Sequence, residues 1–145
     1  MDIKELKTKS ERVYPEIVIN APNPAEAAVL QSDYAGKGSE TTAIMTYIYQ
    51  NYITRLYNED VADVLERIAI TEMHHHDILG TTIARLGGNP VIGADNCWWT
   101  GANVNYAVNL KEMLTDNIKA EQAAIQNYRR TIAKLTNQSI IETVE

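Results

Sequence analysis

Residues 61–79 read VADVLERIAITEMHHHDIL, and this stretch decides the fold. Its apolar residues recur at spacings of three and four, which is typical of the core-facing side of an amphipathic helix. Glu72 and His75 lie on that same side. A buried carboxylate is costly without a compensating partner, and the Glu-x-x-His spacing points two ligands at one ion. We therefore predict a core helix that carries metal ligands; the alternatives are a buried ion pair between these two residues and a helix that faces solvent at this turn.

Helix-breaking residues divide the rest of the chain. Residues 1–23 contain Pro15 and Pro22 and lack helical periodicity, so we expect an extended N-terminal arm on the surface of a single domain at 24–145. Helices are predicted at about 24–56, 58–86 and 108–135, with the start of a fourth at 138–145. We expect a local kink or a close helix contact near Gly36 and Gly38. The long, glycine-rich connection between the second and third helices is typical of bundles with one crossover.

The first and third predicted helices share a motif. The pattern Glu-x-x-Ala-Ile-x-x-Tyr occurs at residues 40–47 and again at residues 121–128. Glu40 and Glu121 each fall on the inner face of their helix, and Tyr47 and Tyr128 return to that face two turns later. Taken singly these tyrosines would be ordinary core aromatics. Their repetition predicts that each phenol hydrogen-bonds a metal-ligating carboxylate across the bundle and orients it.

The chain resembles the ferritin-like superfamily in its pattern of candidate ligands, which are Glu40, the Glu72-x-x-His75 pair and Glu121. This superfamily includes rubrerythrins, bacterioferritins and manganese catalases. The resemblance covers about residues 24–145. It implies an all-α, up-down, ferritin-like bundle around a carboxylate-bridged pair of iron or manganese ions. By this resemblance Glu40 is a terminal ligand, Glu72 bridges the metals, His75 binds the first metal and Glu121 is the terminal ligand of the second.

The sequence departs from the superfamily in three places. A second Glu-x-x-His pair is expected on the fourth helix, beyond Glu145, so the second metal position is incomplete unless a neighbouring subunit completes it or Glu142 or Glu145 substitutes. Rubrerythrins carry an extra carboxylate where this chain has Ala124, which argues against rubrerythrin-type peroxidase activity. There is no cysteine-rich electron-transfer module, so a peroxidase would need a separate electron donor.

The expected function follows from the metal pair. Two ions that each cycle by one electron suit two-electron reactions of peroxide or dioxygen. We therefore expect an oxidoreductase of catalase, peroxidase or ferroxidase type, acting on peroxide or on ferrous iron with dioxygen. The alternative is a truncated, catalytically inactive member that only binds metal or has a structural role. Iron and manganese both accept Glu and His ligands, so the choice between them stays open.

Composition and charge narrow the possible partners. The net charge is −6 and there is no Lys/Arg-rich run, which argues against nucleic acid and anionic membranes as partners. No signal peptide and no run of 18 apolar residues is present, and Cys97 is the single cysteine, so we expect a cytoplasmic protein. Because a short fourth helix leaves the inner faces of the other helices uncovered, we expect a homodimer or larger homo-oligomer.

Other residues that attract attention have simpler interpretations. His74 and His76 flank the ligand pair, but neither lies centrally on the apolar face, so we expect a solvated or supporting role for both. Trp98 and Trp99 in the crossover are expected to cover an apolar face or to contact another subunit. Cys97 beside them is expected to be inert.

Overall fold

Five α-helices dominate the computed structural model, which describes residues 2–145. The helices and the two short strands of one hairpin are α1 (Pro24–Ala35), α2 (Glu40–Arg55), α3 (Glu59–Arg85), β1 (Gly93–Ala94), β2 (Cys97–Trp98), α4 (Leu110–Ile132) and α5 (Gln138–Val144). Single 3₁₀ turns lie at Ile3–Glu5 and Gly101–Asn103. The predicted all-α bundle with a long crossover before its third long helical segment is confirmed. Within residues 2–145, no helix combines the length and apolar character needed to cross a membrane.

Each α-helix begins at a polar residue whose side chain accepts a hydrogen bond from the first turn. Such a residue satisfies one of the backbone N–H groups that a helix leaves free at its start. The capping residues of α1 to α5, in order, are Asn23, Ser39, Asn58, Asn109 and Asn137. The helix starts are therefore encoded locally in the sequence.

The predicted first helix, 24–56, is divided into α1 and α2 by residues 36–39. The N–H of Gly36 still bonds to the Ser32 carbonyl, and a Cβ on this glycine would lie 2.5 Å from that oxygen, so the break requires glycine. The Thr41 hydroxyl donates to the Tyr34 carbonyl at 2.8 Å, which satisfies an acceptor that the break leaves free. The consequence for the site is that Glu40 becomes the first residue of α2.

The apolar core forms two clusters along α3. One contains the buried residues Leu30, Leu79, Ile83, Leu86 and Ile140 together with neighbours from α1. The other contains Tyr47, Leu65 and Ala69. Glu72 lies between Ala69 and Leu79 along α3, so it sits at the junction of the two clusters. Apolar packing above and below holds this part of the helix in place.

A series of polar contacts joins α4 to α1 and α2, and we call it the polar ladder. Its residue pairs, from one end of the bundle to the other, are Asp33–Thr131, Glu40–Tyr128, Tyr47–Glu121, Gln50–Asn117 and Thr54–Met113. The numbers rise on one side and fall on the other, so the helices are antiparallel. Since each polar group needs a partner on the opposite helix, the ladder specifies the register of α4.

The N-terminal arm lies along α3. Lys4 Nζ is 3.1 Å from Asp60 Oδ1, and Arg67 Nη1 donates to the Leu6 carbonyl at 3.2 Å. Farther along, the Tyr14 ring meets the His75 ring edge-on, with centroids 6.0 Å apart. The arm therefore covers one flank of α3 next to the predicted ligands.

We expect Asp33→Asn to stabilise the protein at pH 7. Burial raises the pKa of Asp33, so the native state holds this proton more tightly than the unfolded chain does. Stability therefore falls as pH rises from the unfolded pKa through the native pKa, and it stays lower above that window. Asparagine still accepts from the Thr131 hydroxyl and carries no charge. Thermal unfolding from pH 3 to pH 8 should show an advantage at neutral pH that shrinks as the pH falls. Asp77→Asn, at an exposed position, is the control; an equal gain there would contradict the explanation.

Candidate metal centre

Glu40, Glu72 and His75 converge at one place in the bundle. Each offers a ligand atom, and these atoms all lie within 4.8 Å of one another. His75 Nδ1 is 2.8 Å from Glu72 Oε2 and 3.8 Å from Glu40 Oε2. Glu40 is only 7% exposed, and Glu72 only 9%. Two carboxylates and one imidazole thus face a common point, where the carboxylates are shielded from solvent and the His75 side chain is 32% exposed.

The helices explain how the three residues meet. Glu72 and His75 are one turn apart on α3, so their side chains leave the same face. Glu40 reaches them from the first turn of α2, where the positive end of the helix dipole favours a carboxylate. The break before α2 and the stripe on α3 together build the cluster.

The electrostatics of the cluster favour a bound cation. Burial raises the pKa of Glu72. The carboxylates of Glu40 and Glu72 raise the pKa of His75 to about 11. Without metal, the imidazolium is thus the counter-ion of two carboxylates. A divalent cation that replaces the proton carries more charge than the proton does. The three side chains offer two oxygens and one nitrogen as donor atoms, a set that suits manganese or iron. The residues present therefore fit a metal ion.

The two repeated tyrosines bond the glutamates of the opposite motif. Tyr128 donates its hydroxyl to Glu40 Oε1, and Tyr47 donates to Glu121 Oε1 at 2.8 Å. Burial, and then the neighbouring carboxylates, raise the pKa of both phenols well above the ordinary value, so both remain hydrogen-bond donors at neutral pH. The cross-bundle contacts expected from the repeat are thus present in the structure.

Glu121 lies apart from the other three candidates. Among residues 2–145, the group whose ligand atoms lie within 4.8 Å of one another contains Glu40, Glu72 and His75 only. Glu121 lines the same cleft and is held by Tyr47, but it is exposed on α4. Its role as a ligand stays a prediction.

The flanking residues have roles that the sequence did not specify. His74 is exposed, whereas the His76 ring stacks on Tyr34 with centroids 4.3 Å apart. Trp99 Nε1 donates to Thr42 Oγ1 at 2.9 Å, and Trp98 is 77% exposed. None of the four adds a ligand to the cluster among the residues that the structure describes.

A cleft of about 400 Å³ leads to the cluster between α2 and α4. Besides the candidate ligands, its lining includes Asn103 and Asn105 from the crossover and Asp116 from α4. Sequence reasoning did not find these residues, because no periodicity or motif spacing marks the end of an irregular connection. Tyr14 beside His75 was missed for the same reason.

Comparison with known proteins identifies the family. A profile of the family described as manganese-containing catalase matches residues 10–96. The chain belongs to this family. The matched span includes Glu40, Glu72 and His75 and ends before α4, which carries Glu121. The recognition of a ferritin-like chain related to manganese catalases is confirmed.

Individual relatives agree with the family assignment. A probable manganese catalase of Clostridium acetobutylicum is 21% identical over 90% of this chain and 67% of its own length. Crystal structures of KatB, a manganese catalase from Anabaena, superpose with a TM-score of 0.82 at 22% identity, covering 94% of this chain and 70% of theirs. At this identity the structural likeness shows a shared fold.

We expect Tyr128→Phe to weaken Mn²⁺ binding about 10- to 100-fold, the usual effect of removing a group that orients a ligand. The substitution keeps the ring but leaves Glu40 without its phenol donor. Calorimetric titration of metal-free protein with Mn²⁺ measures the change. Tyr52→Phe, on the exposed side of α2, is the matched control. Unchanged affinity in Tyr128→Phe would contradict the orienting role.

Proposed function

We propose that this protein is a manganese-dependent catalase that converts hydrogen peroxide to water and dioxygen. The convergence of Glu40, Glu72 and His75 in a buried cluster carries the proposal. The family match supports manganese as the metal. Bound manganese supplies reversible one-electron oxidation and reduction, so one peroxide is oxidised and another reduced without a separate electron donor.

We further propose a dinuclear site. In this assignment Glu72 would bridge two ions, with Glu40 and His75 on the first and Glu121 on the second. The shared cleft and the crossed tyrosine contacts support this assignment of Glu121. To bring the Glu121 carboxylate to the cluster, its side chain or α4 would have to move inward. Alternatively, ligands from a second subunit would complete the second position.

The residues of the chain perform distinct tasks in this proposal. Glu40 and Glu72 provide negative charge in a shielded place, and His75 provides a neutral nitrogen once its proton has left. Tyr128 restrains the Glu40 carboxylate through its hydroxyl. Shielding from bulk water strengthens each of these electrostatic interactions.

The lining of the cleft favours an uncharged, hydrogen-bonding substrate. Among the described residues, hydroxyl and amide side chains such as Ser39, Thr46, Asn105 and Asn117 line it, and no Lys or Arg does. An anionic substrate would lack a counter-charge there. Hydrogen peroxide fits this polarity.

Oxidation of ferrous iron by dioxygen is a second candidate. The cleft also contains carboxylates outside the cluster, including Asp33 and Asp116, and these would attract a cation. The two candidates differ in what they consume, so one set of measurements separates them.

The test uses Mn²⁺-loaded protein, with peroxide consumption and dioxygen release followed together. We expect His75→Ala to lower both rates about 100-fold or more, the scale typical for loss of a group that acts at the reacting centre. His74→Ala changes the adjacent, exposed imidazole and should leave the rates close to those of the parent. Glu72→Ala against Glu66→Ala repeats the comparison on the same helix with carboxylates.

The outcomes separate the alternatives. Peroxide loss without dioxygen release would point to a peroxidase with a separate donor. Activity only with ferrous iron and dioxygen would favour the second candidate. Stoichiometric metal binding with neither activity would instead support an inactive, metal-binding member of the family.

We also propose that the chain forms a homo-oligomer through α4. Leu114, Ile118 and Ile125 are 45%, 59% and 51% exposed, respectively, which is costly for aliphatic side chains on one helix. Light scattering at micromolar concentration should therefore give at least the mass of a dimer. Ile118→Glu should lower that mass, whereas Lys119→Glu, at the neighbouring position, should not. A monomeric parent protein would contradict the proposal.

A further inference from the structure

The N-terminal arm is fastened to the bundle on both sides of Tyr14. Before Tyr14, Arg67 Nη1 on α3 donates to the Leu6 carbonyl at 3.2 Å. After it, the Val18 N–H donates to Ser139 Oγ on α5 at 3.0 Å. Each of these contacts joins parts of the chain that are far apart in sequence. Tyr14 therefore lies in a stretch of the arm that is fixed at both ends.

The sequence also stiffens the arm at Tyr14 itself, because Pro15 follows it. A proline fixes its own φ and confines the residue before it largely to extended backbone conformations. Tyr14 is 45% exposed, whereas its neighbour Val13 is 91% exposed. The Tyr14 side chain thus packs on the bundle, and its direction is restricted by the backbone that carries it.

The surface on which Tyr14 packs includes the ring of His75, one of the three candidate ligands. The two ring centroids are 6.0 Å apart and the ring planes meet at 83°, an edge-on arrangement that aromatic rings favour. Within residues 2–145, this is the one aromatic contact that the His75 ring makes. The imidazole therefore has a neighbour from the arm as well as the carboxylates of Glu40 and Glu72.

Hydrogen bonding restrains one end of the imidazole. Nδ1 of His75 is 2.8 Å from Glu72 Oε2 and 3.8 Å from Glu40 Oε2, so it is the nitrogen that would bind a metal. A ligating histidine is usually oriented by a hydrogen bond at its other ring nitrogen. In the part of the chain that the structure describes, no protein group bonds to Nε2. Since the terminal torsion of a histidine is otherwise broad, packing has to supply the restraint.

We propose that Tyr14 is a positioning residue of the metal centre, whose ring holds the His75 imidazole with Nδ1 directed at the metal. The inference rests on the proposed function, because it needs His75 to be a manganese ligand. The ring carries this role, since the Tyr14 hydroxyl makes no hydrogen bond among the described residues. A residue of the arm thereby contributes to a site that is otherwise built from helices.

The experiment separates the ring from its hydroxyl. Tyr14→Ala removes the ring, whereas Tyr14→Phe keeps the ring and removes only the hydroxyl. Val13→Ala changes the adjacent, almost fully exposed side chain and is the matched control. Hydrogen exchange of the Val18 amide, which is bonded to Ser139, reports whether the arm stays docked in each variant.

Two quantities are measured. The first is the Mn²⁺ dissociation constant, from calorimetric titration of metal-free protein. We expect Tyr14→Ala to raise it about 3- to 10-fold, the range that one edge-on aromatic pair supplies, and the other two variants to keep the parent value. The second is the order parameter of the His75 Cε1–H bond in metal-free protein, from ¹³C relaxation, with the signal assigned by its absence in His75→Ala. This order parameter should fall in Tyr14→Ala only, while the Val18 amide exchanges as slowly as in the parent.

The outcomes separate this inference from the proposed function. If the parent protein binds no Mn²⁺, the proposed function is wrong, and the His75 relaxation alone decides whether Tyr14 positions the ring. If the parent binds Mn²⁺ and Tyr14→Ala keeps its dissociation constant, the inference is wrong and the proposed function stands. An equal loss in Tyr14→Phe would overturn the role of the ring. Rapid Val18 exchange in Tyr14→Ala would also overturn it, since the whole arm would then have moved.

Discussion

The burial of two carboxylates beside one imidazole is the constraint on which the rest of the structure depends. Glu40 and Glu72 are almost fully shielded, and His75 is the cation nearest to both. Burying a cluster of charged side chains costs free energy unless their charges compensate one another, and removing one partner leaves the others unpaired. The apolar clusters on either side along α3 keep the helix in place, and the break before α2 brings Glu40 to its first turn. The fold is thereby organised around a place that favours a cation.

The polar ladder extends this constraint to α4, the helix that follows the crossover. Helix α4 packs against α1 and α2 through polar pairs and leaves several aliphatic side chains in solvent. Buried polar groups tolerate little displacement, since a shift in register would leave donors and acceptors without partners. The Gln50–Asn117 pair shows this most clearly, because each amide donates to the other, at 2.9 and 2.7 Å. The placement of α4 is thus set by hydrogen bonds, whereas the placement of α3 is set mainly by apolar packing.

The sequence predicted the parts of the site that depend on helical periodicity. Glu72 and His75 followed from an apolar stripe, and the contacts of Tyr47 and Tyr128 followed from a repeated motif. The break in the helix at residues 36–39 was harder to predict, because each glycine weakens a helix by only about 1 kcal/mol. Glycines therefore indicate a kink or a full break equally well. The Asn105–Asp116 contact had no periodic signal, since it joins an irregular segment to a helix. The distance of Glu121 from the cluster likewise depends on how far α4 stands from α3, which spacing along the chain does not encode.

The two carboxylates of the cluster are held in different ways, and this difference bears on how a metal would enter. Glu40 lies at a helix start and receives the Tyr128 hydroxyl, an interaction that does not involve the other ligands. Glu72 instead pairs with His75, whose proton must leave before the imidazole can bind a cation. A cation bound there would replace the hydrogen bond between His75 and Glu72, whereas Glu40 would keep its phenol donor. The restraint on Glu40 is thus built into the fold, whereas the restraint on Glu72 depends on the protonation of its neighbour on α3.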